Sequence, residues 1–327
     1  MASPLRSIVW GNVAPLRLRA RVVADGVYAG AHRSLRRGPG VEFGGHRQYV
    51  PGDDLRWLDR RALLRHDKLV VREFETETDR GLRLVVDASA SMAFKSREAP
   101  AAKLAFAALI AGALARLATA NGDPVGLEWL GGSGALPLPA RSGREAFERV
   151  IGALESIQAA GDLSLDAGAV ERAFGSIARK AKRGTIVVIL SDLLDLPEAT
   201  LERFAALASG GRVLVALQVL DPEEATFPFE GTVRLRGLEG GPVVETDADA
   251  TRARYLERLG AIGRTWSKSL TDHGGRFLRV ETSAEPADVL RDTVAAIGGR
   301  PSAEPGEEGL GSSDERLEGR ARERGRG

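Results

Sequence analysis

Asp87, Ser89 and Ser91 stand at alternate positions in LRLVVDASASMAF (residues 82–94), directly after an apolar run. A second run, TIVVILSDLLD, ends the same way, with Asp192 following its last branched residues. Carboxylates and hydroxyls offer only oxygen, and hard cations such as Mg²⁺ prefer oxygen ligands and keep several waters. If the two runs are neighbouring strands, both carboxylates converge on one crevice, and a cation site with an open position is the chemistry they suit. The blander alternative is a strand end closed by local side-chain to backbone hydrogen bonds.

Other chemistries find little support. The chain has no cysteine, so thiol nucleophiles, thiolate zinc sites and disulfides are excluded. No Gly-x-Ser-x-Gly elbow surrounds Ser89 or Ser91, and no Gly-x-x-x-x-Gly-Lys-Ser/Thr loop is present. The histidines, among them His46, His66 and His273, lack metal-ligand spacing and are assigned to surface or structural roles. A metal-assisted phosphohydrolase using Asp87 and Asp192 is the enzymatic alternative, although Ser89 stands where an aspartyl-phosphate enzyme would carry a second aspartate.

These residues need elements to position them, and three zones are visible. Residues 1–80 are arginine-rich: PLRLRARVVADGVYAGAHRSL suits an amphipathic helix, and VEFGGHRQYV and KLVVREFETET suit strands with PGDD turning between them. Residues 81–299 alternate apolar strand-like runs with helix-like segments, including the alanine-rich AAKLAFAALIAGALARLATA. Runs such as TIVVIL and VLVALQVL are apolar on both faces, as in a parallel sheet covered on both sides. The expected fold is therefore α/β, doubly wound and mostly parallel, or Rossmann-like, with an N-terminal helix plus β-rich extension. A β-hairpin insertion is expected at about 228–248, turning at Gly240 and Gly241. Residues 300–327 are rich in Gly, Ser, Glu and Arg and are expected to form a disordered tail.

With 43% hydrophobic and 28% charged residues, the composition is that of a soluble globular protein. The formal net charge of +1 argues against a general grip on nucleic acid. No uninterrupted apolar run approaches the roughly 20 residues of a bilayer span, and the first residues lack a signal-like apolar core. A cytoplasmic, non-membrane protein is expected.

DASAS resembles the Asp-x-Ser-x-Ser motif of von Willebrand factor type A domains. That resemblance implies a metal-ion-dependent adhesion site with Asp87, Ser89, Ser91 and Asp192 as ligands. It places the family's threonine on Ser164 in AGDLSLDAGAV, with Asp162 as the alternative alignment. Upstream, GVEFGGHRQYVPGDDLRWLDRRALLRHDKLVVREFETETD resembles the signature of the bacterial family called domain of unknown function 58. The matching residues are Glu42, Phe43, Arg47, Tyr49, Pro51 to Asp54, Arg56 and Asp59, with departures at Arg60 and at Leu63-Leu64. The charges within this stretch are read first as internal ion pairs. The resemblance implies a non-enzymatic, Mg²⁺-dependent protein-interaction module, with Mn²⁺ or Ca²⁺ as alternative ions. Its implied partner is a MoxR-type AAA+ ATPase or an acidic client segment. A scaffold whose metal site has decayed is the third reading.

Overall fold

The computed structural model describes residues 16–28, 42–48, 70–75 and 81–298, apart from 135, 167, 195, 198 and 239–242. Helix α1 (Leu16–Tyr28) comes first, followed by strands β1 (Glu42–Gln48) and β2 (Val70–Glu75), which pair antiparallel. The expected PGDD turn, most of the upstream signature and the tail from 300 lie outside the described residues.

A six-stranded sheet forms the rest of the frame. In chain order its strands are β3 (Leu82–Ala88), β4 (Val125–Gly131), β5 (Leu138–Arg141), β6 (Ile186–Ser191), β7 (Val213–Leu220) and, after a hairpin, β10 (Arg276–Glu281). The spatial order is β10-β7-β6-β3-β4-β5, parallel throughout except for β5, which runs antiparallel at the edge. This is the doubly wound, mostly parallel order expected from the sequence, with β3 at the centre. The edge position of β5 also suits Pro139, which cannot donate to a ladder.

The central strands are apolar on both faces because both faces are covered. Leu84, Val86, Val188 and Leu190 pack in one cluster, while Val85, Val187 and Ile189 pack in the other. The first cluster is roofed by α2 (Lys103–Ala120), α3 (Arg144–Ser156) and α8 (Pro286–Ile297), together with α1 through Ala20, Val23, Ala24 and Val27. The second is roofed by α4 (Ala169–Lys180), α5 (Ala199–Ala206) and α7 (Ala248–Asp272), where Phe174, Phe204 and Trp266 meet. Burying each large side chain here contributes roughly 1.5–3 kcal/mol.

Helix α2 departs from one expectation. It is long and apolar enough, by length and composition, to cross a bilayer, although 67% of it is buried within the protein. Its Ala and Leu residues are apolar because the helix is wrapped by the sheet, α1, α3 and α8. The hairpin forms where expected, as β8 (Thr232–Leu235) paired antiparallel with β9 (Val244–Asp247), while its turn at Gly240 and Gly241 lies outside the described residues. A short helix that the pattern reading passed over, α6 (Pro222–Thr226), follows β7 and is closed by a capping box between Asp221 and Glu224.

Candidate functional site

Strands β3 and β6 are neighbours on which the chain turns in opposite directions, so their carboxyl ends border the crevice where open α/β sheets bind ligands. Register pairs Val86 with Leu190, which brings Asp87 level with Ser191 and one step from Asp192. The two strand-end aspartates therefore do meet in one crevice, and both are buried.

Asp87 is held from two sides. Its Oδ1 accepts the Ser89 backbone N–H at 2.8 Å, and its Oδ2 accepts the Ser191 hydroxyl. Burial, then the nearby Asp192 charge, pushes its carboxyl up to about 6 against those hydrogen bonds. Beyond it the chain enters a 3₁₀ turn at residues 90–93, and the Ser89 and Ser91 hydroxyl oxygens lie 3.0 Å apart. Ser89 is buried and Ser91 half-buried, so the pair sits at the mouth of the crevice with Asp87 behind it.

Two glycines let the end of β4 close on this loop. Gly131 has φ +67°, and a Cβ there would come 3.1 Å from the Ser89 backbone. Gly132 has φ +91°, and its Cβ would meet Ala88 Cβ at 2.9 Å. A third loop is pinned alongside by Ala160 N–H to Ala88 O at 2.9 Å and Ala90 N–H to Gly161 O at 3.0 Å. Ser164 follows on that loop but is exposed, and its hydroxyl and backbone N–H both donate to Asp162 Oδ1. The structure thus joins Asp87, Ser89 and Ser91 in one network and sets Asp192 beside it. It gives Ser164 a local partner instead.

The sequence reading missed the residue that holds Asp192. Lys103, at the first position of α2 and wholly buried, places its Nζ 2.8 Å from Asp192 Oδ2 and 2.7 Å from Glu224 Oε1. Burial disfavours the ammonium, yet Asp192 and Glu224 outweigh it and hold its pKa above the ordinary lysine value. Glu224 is itself pushed up by burial, against the lysine. One signal was available: a cation in the first turn of a helix opposes the macrodipole, and so calls for carboxylates nearby. Asp221 completes the wall, its Oδ2 accepting the Ser96 N–H at 2.8 Å.

A hard cation would find oxygen donors here. Asp87, Ser89, Ser91 and Asp192 bring only hydroxyl and carboxylate oxygens, and the upward push on Asp87 comes first from burial and second from the Asp192 charge beside it. Lys103 offsets part of that charge. Among the described residues no cluster of three or more His, Cys, Asp or Glu side chains has metal-binding geometry, so any such site depends on the serine hydroxyls. These four residues fit a cation with several waters retained, whereas Ser164 as oriented does not contribute.

The family model for "protein of unknown function DUF58" matches residues 45–262. The chain belongs to the DUF58 family. An uncharacterized protein of Mycobacterium tuberculosis is 31% identical over 283 residues, covering 84% of this DUF58 chain and 86% of its relative. Among solved structures, a von Willebrand factor type A protein from Catenulispora acidiphila is similar at 12% identity, over 70% of this chain and 44% of that one, with a TM-score of 0.34. An aerotolerance-related membrane protein from Bacteroides fragilis is similar at 20% identity, over 66% of this chain and 98% of its own, with a TM-score of 0.40. The cytoplasmic placement expected for this DUF58 protein is withdrawn. A lack of cysteine and a near-neutral charge do not separate a cytoplasmic chain from one held at a membrane.

Proposed function

We propose that this DUF58 protein is a non-enzymatic protein-interaction module whose docking face is the carboxyl edge of its sheet, with a divalent cation at the crevice. The single observation that carries this reading is the pair of hydroxyls, Ser89 and Ser91, 3.0 Å apart over the buried Asp87. Ser89 and Ser91 would hold Mg²⁺, or Mn²⁺ or Ca²⁺, with Asp87 and Asp192 supplying negative charge behind them. When bound, the ion supplies an open position for one carboxylate oxygen. An acidic side chain of the partner suits that position, and family resemblance favours a MoxR-type AAA+ ATPase or an acidic client as its source. The phosphohydrolase reading is weaker, because Ser89 stands where an aspartyl-phosphate enzyme would carry its second aspartate.

Calorimetric titration of the chelator-treated protein with Mg²⁺ and Mn²⁺ tests this, with Ser91→Ala as control. Saturable binding lost in Ser91→Ala supports the module. Equal binding in both proteins, or none in either, sinks the metal-dependent reading and leaves a scaffold with a decayed site.

A further inference from the structure

The opposite end of the sheet carries a second cleft, independent of the crevice at Asp87. It lies at the amino ends of β3 and β6, between Gly81 and Thr185, and is bordered by the antiparallel edge strand and α3. Its volume is about 630 Å³, the size of a small-molecule site rather than a polymer groove. Arg83, Arg141, Arg149 and Lys180 line it, with Lys182 at the same mouth and Glu145 as the acid among the lining residues.

The cations come from four separate elements, so local sequence does not explain their convergence: Arg83 from β3, Arg141 from β5, Arg149 from α3 and Lys180 from the last turn of α4. Among the described residues Arg141, Arg149 and Lys180 form no ion pair, and all three are exposed. Arg83 is half-buried, and its guanidinium crosses β4 at Gly126, where any Cβ would collide with it. Glycine at that position leaves room for the Arg83 side chain beside β4. Buried Glu128 on β4 offsets Arg83 and Lys180 in part, and it is also engaged by Ser176, while burial pushes its carboxyl upward. The surplus charge of the cleft is positive.

We infer that this cleft binds a small soluble anion bearing two or more phosphates. Guanidinium groups pair with phosphate oxygens in a forked geometry, and a lysine adds a point charge. Several cations around one small volume suit a polyphosphate better than a single carboxylate.

The probe is inorganic pyrophosphate, titrated into the full chain by calorimetry in Mg²⁺-free buffer, which keeps the result separate from the Asp87 crevice. Arg141→Gln/Arg149→Gln alters two exposed side chains and should leave the fold intact. Arg83→Gln is the second variant, with its thermal unfolding measured in parallel. The expected result is saturable binding at low salt, weakened about tenfold or more in the double variant, as the loss of charge-assisted hydrogen bonds implies. Higher salt should weaken it further. No saturable heat, equal affinity in parent and double variant, or binding to phosphatidylglycerol vesicles without binding to pyrophosphate would each overturn the inference.

Discussion

Lys103 Nζ lies 2.8 Å from Asp192 Oδ2, and neither side chain is open to solvent. The pair joins the first residue of the central helix to the end of a central strand, 89 positions later in the chain. It therefore fixes how α2 sits over the crevice as well as the charge within it.

Removing one partner should be costly. Lys103→Met leaves Asp192 and Glu224 without their shared cation, and urea denaturation should show a loss of about 3–5 kcal/mol. Lys103→Met/Asp192→Asn should lose less than the two single variants summed, with a coupling of about 0.5–3 kcal/mol. Strict additivity would mean that the two groups do not stabilise one another.

Asp87 is a poor position for a silent control. Asp87→Ala orphans the Ser89 N–H and the Ser191 hydroxyl, at about 1–3 kcal/mol for the unpaired donors. Ser91→Ala gives up one hydroxyl pair at a half-buried position and should cost under about 1.5 kcal/mol. Comparing the two melting curves checks this order, and a Ser91→Ala protein less stable than Asp87→Ala would contradict it.

Gly132→Ala should damage the site from a distance. At φ +91° and with Ala88 Cβ and Ile157 already close, the added methyl forces β4 away from the Asp87 loop. A loss of about 1–3 kcal/mol is expected from the backbone alone. Gly134→Ala, also at positive φ but with nothing near its Cβ, should cost less, and thermal unfolding of the pair separates packing from conformation.

Tyr255 gives a pH test. Burial, Glu224 and Asp192 push its hydroxyl up to about 12, with Lys103 opposing, and its ring lies 4.9 Å from that of Phe227. Because the folded value exceeds the ordinary value near 10, the neutral phenol is favoured in the folded state. Its contribution is complete below about pH 10 and is lost as pH rises toward about 12. Tyr255 should release its proton late in an ultraviolet titration, and Tyr255→Phe should remove that late phase. A late phase that survives the substitution would assign it elsewhere.

The strands were legible because burial on both faces forces continuous apolar runs, and Asp87 and Asp192 stood out as charges that end such runs. Lys103 was not legible as part of the site, since its partners Asp192 and Glu224 lie 89 and 121 positions away and only the fold brings them together. Ser164 shows the opposite limit. Spacing placed a hydroxyl near the crevice, but a serine two residues after an aspartate can satisfy itself locally, and Ser164 donates to Asp162. The short helix Pro222–Thr226 had its signature in Asp221-Pro-Glu-Glu, yet a five-residue element leaves no periodicity to read.

The shared direction of the strands sorts two sets of charged side chains to opposite ends of the sheet. Among the described residues, the strand ends carry Asp87, Asp192, Asp221 and Glu224, while the strand starts and their surroundings carry Arg83, Arg141, Arg149 and Lys180. A formal net charge of +1 conceals this separation. Ligands of opposite charge would therefore suit the two ends of the sheet, and occupation of one end leaves the other open.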